Sequence, residues 1–422
     1  MKGVAAFVLA GGRVREMGAL THRRAKAALP IVGSLRIIDF AMSNLALSGI
    51  DRVGVISQYR PSSLMDHVGD GAAWGLVGRG REVRVLSPYQ ADDSVEWYRG
   101  TADAVFRNLS FLRGERYVLI VSGDHVYHMD YRPLLDAHEA SGAELTMVFK
   151  RFPLADCRRY GNVEVDSQMR IRQYIEKPSD PLSNLGSLTI YLFNRAALEE
   201  RLAEVQSSQG DIQLYQDVLP DFVARGTARA FVHDGYWAYA RTIDDYFKTS
   251  MDLLAPDSGF RIDDWEVCTN VEQAGIGNVP PAVVGMNADV SRCRLSPGCR
   301  IYGKVSSTVI SPGVVVEEGA EVTDSVLMHR VHVAAGVRIT RAIVDKHVRV
   351  AADAIVGSSV PAKANEELPE SQATGVTVLG RAARIGAGAR VGSNCQVFPG
   401  LEVPAGGVVE DATCVPRMGG RP

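Results

Sequence analysis

Short apolar runs alternate with segments of helical periodicity from Val4 to about residue 255. The runs at residues 53–56 and 117–121 are apolar at nearly every position rather than at every second one. Such runs are typical of strands in a parallel sheet that is covered on both faces. Helices are predicted between the runs, for example at residues 38–48 and 102–112. The pattern therefore predicts an α/β domain with a doubly wound, mostly parallel sheet.

A hairpin pattern interrupts this alternation at residues 171–177 and ends at Pro178. Proline is rare in the interior of a sheet, so the segment is predicted to be an antiparallel lobe over the sheet. We expect such a lobe to cover a ligand.

Aliphatic residues recur at every sixth position in the C-terminal third of the chain. Ile310, Val316, Val322 and Met328 form one such row, and the spacing is unbroken again between residues 379 and 409. Six residues span one side of a triangular coil, so this period predicts a left-handed parallel β-helix of hexapeptide repeats. The alternative is a β-sandwich with loosely spaced valines, which the unbroken spacing disfavours.

The two patterns together predict a division of the chain into domains. Residues 1–255 are predicted to form the sheet domain, residues 256–281 a connecting region, and residues 282–422 the β-helix domain. A polar stretch at residues 362–374 interrupts the coil pattern and is predicted to be a loop.

Composition and charge narrow the class of protein. The chain has 422 residues with 46 basic and 49 acidic side chains, a formal net charge of −3. This balance argues against general attraction to nucleic acid or to an anionic membrane. The six cysteines form no CxxC pair or zinc spacing, so we expect reduced thiols. Because the first apolar segment reads as a short strand rather than as a leader or membrane span, we expect a cytoplasmic protein.

The first apolar run leads into a glycine turn at Gly11 and Gly12, and the cations Arg24 and Lys26 follow. A buried strand that ends in a glycine turn is how α/β proteins hold a polyphosphate at strand ends. Asp124 follows another apolar run, at the sheet edge where ligand-facing groups lie. The alternative for Asp124 is a helix or turn cap.

Six motifs follow one another in the sheet domain: Leu9-Ala-Gly-Gly-Arg13, Arg24-Ala-Lys26, Arg36-Ile-Ile-Asp-Phe40, Trp97-Tyr-Arg-Gly-Thr-Ala-Asp103, Ser122-Gly-Asp-His125 and Ile175-Glu-Lys-Pro178. As an ordered set they resemble the ADP-glucose pyrophosphorylases, or glucose-1-phosphate adenylyltransferases. The resemblance implies the reaction of ATP with glucose 1-phosphate to give ADP-glucose and diphosphate, with Mg²⁺, in the supply of glycogen-type glucans. It also implies a following β-helix, and a tetramer under allosteric control by sugar phosphates.

The same resemblance implies which residues form the site. The implied catalytic residues are Arg13, Lys26 and Asp124, and Asp124 is also the implied Mg²⁺ ligand. The residues implied to bind glucose 1-phosphate are Tyr98, Gly161, Glu176, Lys177 and Ser187, and those implied to bind the nucleotide are Leu9, Ala10, Gly11, Gly12, Gln90, Gly100 and Thr101. A solvated Glu176–Lys177 pair and a purely structural helix cap near Thr101 are the alternatives.

The sequence departs from the family pattern at the nucleotide end. Val14 replaces a glycine of the phosphate turn, and Glu16 replaces a cation that would face the leaving diphosphate. Losing one preorganised donor to transition-state charge costs ~3–4 kcal/mol, and a repelling carboxylate is expected to cost more. Arg15 could substitute for the missing cation, or it could simply be exposed.

Further departures lie downstream. Tyr239 occupies the position where the resemblance implies a second metal carboxylate, and a phenol is neutral at pH 7. Arg241 replaces a glycine in the same segment. Gln213 and Gln216 replace an acid and a lysine near the sugar phosphate. We therefore expect weakened catalysis in the isolated chain.

Two functions from different classes remain open. One is an enzyme that still converts ATP and glucose 1-phosphate, and the other is a regulatory or sensing subunit that binds sugar phosphate beside an active paralogue. The expected assembly is a homotetramer or a hetero-oligomer with that paralogue. An acyltransferase that uses His329, His332 or His347 of the coil is disfavoured because no acyl-carrier signature is present. A pyrophosphorylase for another sugar or base is disfavoured by the motif set.

Three arginines raise a separate question about anion binding. Arg23, Arg24 and Arg60 could line an anion site between the domains. The more conservative interpretation is a solvated basic face.

Overall fold

A nine-stranded mixed sheet forms the centre of the N-terminal part of the described chain. The computed structural model describes residues 1–12, 14–88, 97–273, 276–360 and 363–417, with the backbone alone at residues 90–91 and 94–95. The strands are β1 (Val4–Leu9), β2 (Arg52–Ile56), β3 (Glu82–Leu86), β4 (Tyr117–Ser122), β5 (Leu145–Arg151), β6 (Gly161–Val165), β7 (Ile171–Glu176), β8 (Leu185–Asn194) and β9 (Ala228–Val232).

The strand order is β7-β6-β8-β4-β1-β2-β3, and β5 pairs with β8 and β9. β1 is parallel to β2 and β4, and β2 is parallel to β3. β8 is antiparallel to β4, β5 and β6. The predicted antiparallel hairpin is confirmed as β6 and β7, but it extends the sheet edge through Asn162 and Gly186 rather than lying over the sheet.

Helices cover both faces of this sheet, as the continuous apolar strands predicted. Within β1, Ala6 and Val8 join the cluster that contains the first, second and fourth helices, whereas Ala5 and Phe7 join the cluster on the opposite face. The helices are α1 (Ile37–Leu47), α2 (Ser62–Val68), α3 (Thr101–Arg107), α4 (Arg132–Ser141), α5 (Arg195–Val205), α6 (Leu219–Ala224) and α7 (Ile243–Asp252). The doubly wound arrangement is therefore confirmed.

The helix predicted at residues 102–112 is shorter in the structure. α3 ends at Arg107, and a separate 3₁₀ turn spans Leu109–Phe111. The Asn108 side-chain amide donates to the Ala104 carbonyl at 2.7 Å, which is the acceptor that a continuing helix would use for its backbone. A local side-chain bond of this kind competes with helix propagation.

Several short elements complete the sheet domain. A π-helical turn spans Leu214–Val218, and 3₁₀ turns lie at Gly18–Leu20, Lys26–Ala28, Ala72–Trp74 and Leu154–Arg159. Small antiparallel ladders pair Pro30–Ile31 with Leu35–Arg36, Gln90–Ala91 with Ser94–Val95, and His125–Tyr127 with Trp237–Tyr239.

The C-terminal part is a left-handed β-helix of parallel strands. One of its sheets contains Val283–Val284, Arg300–Ile301, Val315–Val316, His332–Val333, Arg349–Val350, Arg384–Ile385 and Glu402–Val403. The other contains Asp289–Ser291, Arg294–Leu295, Lys304–Ile310, Glu321–Leu327, Arg338–Thr340, Ala342–Val344, Ile355–Val356, Thr377–Leu379, Arg390–Val391, Gln396–Val397, Val408–Val409 and Cys414–Val415.

The sixfold aliphatic row is buried along the axis of this coil. Ile310, Val316 and Val322 are at most 1% exposed, and the later members of the row reach 8% at Val409. The predicted hexapeptide repeat is therefore confirmed. The predicted polar loop also lies outside the coil strands, between Ile355–Val356 and Thr377–Leu379.

The coil shares a hydrophobic core with the sheet domain. Tyr246 and Phe247 of α7 belong to the same buried cluster as Val326, Ile343 and Val378 of the coil. The connecting region contributes Phe260 and Trp265 to this cluster, with 3₁₀ turns at Pro256–Ser258 and Ile262–Asp264. The domain limits at 255 and 281 remain a prediction.

Candidate active site

The glycine turn and the Asp124 turn lie side by side at the carboxyl ends of β1 and β4. Leu9 is the register partner of Ser122, and the Gly123 amide donates to the Leu9 carbonyl at 2.9 Å. A Cβ on Gly11 would lie 2.7 Å from the Gln58 backbone nitrogen, so only glycine fits there. Both turns were predicted at strand ends, and the structure brings them together at one edge of the sheet.

A cleft of about 440 Å³ opens at this edge. Eleven of the residues implied by the resemblance line it: Leu9, Gly11, Gly12, Tyr98, Gly100, Thr101, Asp124, Gly161, Glu176, Lys177 and Ser187. Ala10 lies in the turn, where its amide donates to the Ile56 carbonyl at 2.9 Å. Arg13 lies outside the described residues, and so does the side chain of Gln90.

Lys26 reaches the cleft through Asp124. Its ammonium lies 2.8 Å from Asp124 Oδ2, and the lysine side chain is only 3% exposed. The second carboxylate oxygen, Oδ1, accepts from the Ser122 hydroxyl and lies 3.5 Å from His125 Nε2. Both oxygens of the carboxylate therefore already have partners within the chain.

Lys26 and Asp124 each affect the pKa of the other. Burial alone would raise the pKa of the Asp124 carboxyl, but the Lys26 ammonium and the bonds from Lys26 and Ser122 outweigh it and lower the pKa to about 2. Burial lowers the pKa of Lys26, and Asp124 offsets only part of that effect. His125 is also buried, which lowers its pKa to about 4. At neutral pH Asp124 is therefore a carboxylate and His125 a neutral imidazole.

Tyr239 lines the same cleft and lies close to the Lys26–Asp124 pair. The ladder between His125–Tyr127 and Trp237–Tyr239 pairs Tyr239 directly with His125. The Tyr239 ring centroid lies 4.1 Å from Lys26 Nζ, which is cation–π geometry. Burial, with the nearby Asp124 charge, raises the pKa of Tyr239 far above its usual range, so the phenol stays neutral.

The end of the cleft that contains Asp124 does not form a magnesium site from the described residues. Mg²⁺ prefers an octahedral set of oxygens and usually takes one or two carboxylates with phosphate oxygens. Among the residues that line this end of the cleft, Asp124 supplies the carboxylate, and Lys26 already binds it. In the parts of the chain that the structure describes, no group of three or more His, Cys, Asp or Glu residues is arranged to hold a metal.

The opposite end of the cleft is built on the hairpin of β6 and β7. Gly161 is the register partner of Glu176, and the Tyr174 hydroxyl donates to Glu176 Oε2 at 2.6 Å. A Cβ on Gly161 would lie 2.5 Å from that hydroxyl and 2.9 Å from Glu176 Oε2. Lys177 Nζ lies 3.6 Å from the other carboxylate oxygen and is about half exposed. The carboxylate is thus fixed, whereas the ammonium is free to meet an anion.

Tyr98 and Ser187 complete this end. The Tyr98 amide donates to Gln58 Oε1 at 2.7 Å, and its hydroxyl accepts from Asn108 at 3.0 Å. Ser187 is 6% exposed and lies beside Thr189, where the pairing of β5 with β8 shifts register. The side chains that would face a hexose are therefore positioned by bonds of their own.

Gly100 and Thr101 begin α3 on the cleft wall. Gln213 Oε1 accepts from the Thr101 amide at 3.1 Å and from its hydroxyl at 3.0 Å. The predicted cap near Thr101 is thus supplied by the neutral side chain of Gln213, which immediately precedes the π-helical turn. Gly100 has a φ of 129°, and an added Cβ would meet the Ile212 carbonyl, so the position requires glycine.

Several cleft residues were not identified from the sequence. Gln58, Arg159, Tyr191 and Trp237 also line the cleft. Trp237 lies within the segment that contains Tyr239, so its position could have been inferred. The others lie outside the quoted motifs, and only the fold brings them to the cleft.

Glu16 and Arg241 form an ion pair near this site. Their closest side-chain atoms are 3.4 Å apart, and both side chains are about one-third exposed. From the sequence alone, Glu16 and Arg241 are two separate departures. The structure shows that the carboxylate introduced at 16 meets the guanidinium introduced at 241.

The prediction of a solvated basic face is wrong for Arg24. Its side chain is 5% exposed. It forms an ion pair with Asp345 of the coil and donates to the Leu20 carbonyl. Arg23 is exposed and donates to the Pro399 carbonyl, so both arginines lie between the two domains. Arg60 is exposed and donates to the Tyr59 hydroxyl. The error arose because a distant coil residue neutralises Arg24.

Comparison with known proteins agrees with this geometry. A family model described as nucleotidyl transferase matches residues 5–255, and one described as GlmU-like, C-terminal hexapeptide, matches residues 281–379. The fold and these matches define a nucleotidyl transferase that carries a hexapeptide coil.

Individual relatives narrow the class. The glucose-1-phosphate adenylyltransferase of Acetivibrio thermocellus is 35% identical over 407 residues, which cover 94% of this chain and 93% of the relative. Those of Thermosipho africanus and Bacillus cytotoxicus are 38% and 39% identical, over 76% and 78% of this chain and 78% and 87% of the relatives. The chain therefore belongs to the glucose-1-phosphate adenylyltransferase family.

The helices are short relative to the thickness of a lipid bilayer. In the described part of the chain, none is both long enough and apolar enough to span one.

Proposed function

We propose that this chain retains the glucose 1-phosphate half of its family's active site and has a weakened nucleotide and metal half. Its family's reaction joins ATP and glucose 1-phosphate to give ADP-glucose and diphosphate, in glycogen-type glucan synthesis. The observation that carries the proposal is the arrangement of Lys26, Asp124 and Tyr239, in which Lys26 already pairs with the Asp124 carboxylate and the neighbouring Tyr239 is a neutral phenol.

The sugar-phosphate end supports binding. A carboxylate fixed by the Tyr174 hydroxyl is suited to accept hydrogen bonds from hexose hydroxyls, and Glu176 has that environment. The neighbouring Lys177 ammonium is suited to a phosphate as a compact point charge. Gly161, Ser187 and Tyr98 close the same region of the cleft.

The chemistry of the family reaction explains why the nucleotide end of the cleft determines catalysis. The attacking phosphate oxygen is already anionic, so no general base is needed, and positioning with charge neutralisation supplies the catalysis. In this proposal Arg13 and Lys26 would neutralise the nucleotide phosphates beside the turn formed by Leu9 to Gly12. Lys26 is weakened for this purpose because Asp124 holds its ammonium at 2.8 Å.

The family generally uses a divalent metal ion, and Mg²⁺ is the ion expected from the sequence. When bound, such an ion neutralises charge on the reacting phosphates. The second carboxylate that would help to hold it is replaced by Tyr239, and Asp124 is occupied by Lys26. No catalytic step of this proposal therefore depends on a metal ion.

A regulatory or sensing subunit is the second candidate. The Glu16–Arg241 ion pair favours it, because two introduced charges neutralise one another instead of serving the diphosphate. Such a subunit would bind sugar phosphate within a homotetramer or beside an active paralogue in a hetero-oligomer. We expect it to act in the cytoplasm, which suits its six unpaired cysteines.

Two measurements on the purified chain test the proposal. Calorimetry is expected to detect glucose 1-phosphate binding that Lys177→Ala weakens by about tenfold, as for loss of a charge-assisted bond. Lys248→Ala, at an exposed lysine of α7, is the matched control and is expected to bind as the wild type does. Equal affinity in wild type and Lys177→Ala would remove Lys177 from the site.

The second measurement is ADP-glucose formation by the chain alone and mixed with an active paralogue. Slow turnover alone supports the weakened enzyme, and stimulation or altered regulation of the partner supports the regulatory subunit. Rapid turnover by the isolated chain would overturn the proposed weakening.

A further inference from the structure

The coil contains an insertion at one turn. His332 pairs in register with Arg349, and Arg349 pairs in register with Arg384. The sequence separation of the second pair is about twice that of the first. The additional residues lie after Gly357, and the stretch at residues 363–376 is called the insertion loop below. This loop extends from the coil toward the sheet domain, where it contacts two separate segments.

The first contact passes through two buried glutamines. Gln372 and Gln396 are both 0% exposed. Gln372 Nε2 donates to the carbonyls of Val376 and Cys395 at 2.6 and 3.1 Å, and Gln372 Oε1 accepts from Gln396 Nε2 at 2.7 Å. Gln396 Oε1 then accepts from the Ala19 amide at 2.8 Å.

This relay has only one consistent orientation. The Ala19 amide can only donate, so Gln396 must present its oxygen there and its nitrogen to Gln372. Gln372 then presents its oxygen to Gln396 and its nitrogen to the two carbonyls. A buried network with every partner satisfied is rigid, and removal of one member leaves others unpaired.

The relay ends at the continuation of the phosphate turn. Gly18 has a φ of 46°, and a Cβ there would overlap the side-chain amide of Gln396. The Thr21 hydroxyl donates to the Val14 carbonyl at 2.8 Å, which ties this segment back to the turn itself. The segment from Val14 to Thr21 is thus bound to the coil through Ala19. Its two ends are joined to each other by the bond from Thr21 to Val14.

The second contact reaches the chain that follows Tyr239, a residue that lines the cleft. Asp244, in the first turn of α7, accepts from the Ala373 amide at 2.8 Å and from the Thr374 hydroxyl at 2.7 Å. Its own amide donates to the Ser371 carbonyl at 3.1 Å. Asp244 lies three residues beyond Arg241, so the insertion loop also fixes the chain that follows Tyr239.

We infer that the insertion loop positions the phosphate end of the cleft, with Gln396 and Asp244 as positioning residues for its two walls. Neither residue lines the cleft. Their contacts fix the segments that carry Glu16 on one side and Arg241 on the other, which are the segments that meet in an ion pair. The hexose end depends on β6 and β7, which these contacts do not reach.

The test compares Gln396→Met with Thr308→Val. The first removes the amide of the relay at similar volume. The second removes one buried hydroxyl, whose bond goes to the Ser306 carbonyl at 2.8 Å, elsewhere in the coil. Both variants lose buried polar contacts, so a general loss of stability affects both. Calorimetry with ATP and with glucose 1-phosphate is carried out on wild type and on both variants.

We expect Gln396→Met to weaken ATP binding by about tenfold while glucose 1-phosphate binding stays within twofold, and Thr308→Val to change neither. Equal effects on both ligands, or no effect on ATP, would overturn the inference. A wild type that binds glucose 1-phosphate but no ATP would also overturn it, and would leave the proposed sugar-phosphate site intact.

Discussion

The carboxylate of Glu16 lies 3.4 Å from the guanidinium of Arg241, although 225 residues separate them in the chain. The resemblance implies a cation at position 16 and a glycine at position 241, so we expect each charge to disturb phosphate binding if it stood alone. Because they neutralise each other, replacing either one exposes an unpaired charge. The two departures therefore form a matched change rather than two independent losses.

Restoring the family residues together is expected to recover catalysis. The quadruple variant Val14→Gly, Glu16→Arg, Tyr239→Asp and Arg241→Gly reopens the phosphate turn, returns a cation and supplies a second carboxylate. Because single preorganised donors contribute ~3–4 kcal/mol to transition states of this type, we expect ADP-glucose synthesis to rise by orders of magnitude. The measurement is the initial rate of ADP-glucose formation from ATP and glucose 1-phosphate.

Glu16→Arg alone is the matched control for this prediction. It places two guanidinium groups next to each other, so we expect no gain in rate. A folded quadruple variant with unchanged activity would show that these positions do not limit the reaction.

Tyr239→Asp alone is expected to create metal affinity. The new carboxylate would lie near Asp124, and Lys26 would lose the aromatic ring that lies 4.1 Å from its ammonium. Two carboxylates are a better set of Mg²⁺ or Mn²⁺ ligands than one, so we expect binding of Mn²⁺ to tighten by about tenfold. Titration of free Mn²⁺ by electron paramagnetic resonance measures this without any turnover.

Tyr215→Asp is the control for a new carboxylate in the same cleft. Tyr215 also lines the cleft but is 38% exposed, and we expect its variant to bind Mn²⁺ no better than wild type. Equal tightening in both variants would indicate a general effect of negative charge and would remove position 239 from the metal site.

The sequence predicted the coil better than the active site for a physical reason. A hexapeptide period is repeated locally, so the burial of Ile310 or Val397 follows from spacing alone. The strand ends that carry Gly11 and Asp124 were likewise predictable, since each follows an apolar run.

Pairings between distant segments could not be predicted from these patterns. The partner of Arg24 is Asp345, and the partner of Glu16 is Arg241. Sequence spacing carries no information on such contacts, because the fold alone brings the segments together. For the same reason the sequence indicated a solvated Arg24 and gave no sign that Gln396 reaches Ala19.

Gly161→Ala is expected to disturb the sugar-phosphate end selectively. A Cβ at this position would lie 2.5 Å from the Tyr174 hydroxyl and 2.9 Å from Glu176 Oε2, so the carboxylate must move. We expect affinity for glucose 1-phosphate to fall by about tenfold, as measured by calorimetry. Gly114→Ala is the control, because nothing lies within 4 Å of its added Cβ. Equal affinity in the two variants would show that Glu176 is not held for the sugar.

His138 is expected to make the fold sensitive to mild acid. It is 1% exposed, its Nδ1 lies 2.8 Å from the Thr146 hydroxyl, and burial lowers its pKa from 6.5 to about 4. Between these values the unfolded chain binds a proton that the folded chain does not. This contribution to stability is therefore present above pH 6.5 and is lost as the pH falls toward 4.

We expect His138 to account for about 2 kcal/mol of the decrease in unfolding free energy between pH 7 and pH 4.5. Urea unfolding of wild type and His138→Gln at both pH values measures it, since glutamine can still bond Thr146 but does not titrate. His332→Gln, at an exposed histidine that pairs with Glu317, is the control and is expected to keep the wild-type difference. Buried His125 and His233, whose pKa values burial also lowers to about 4, remain in every variant, so the slope should shrink rather than vanish. An unchanged slope in His138→Gln would mean that protonation of this side chain is not coupled to folding.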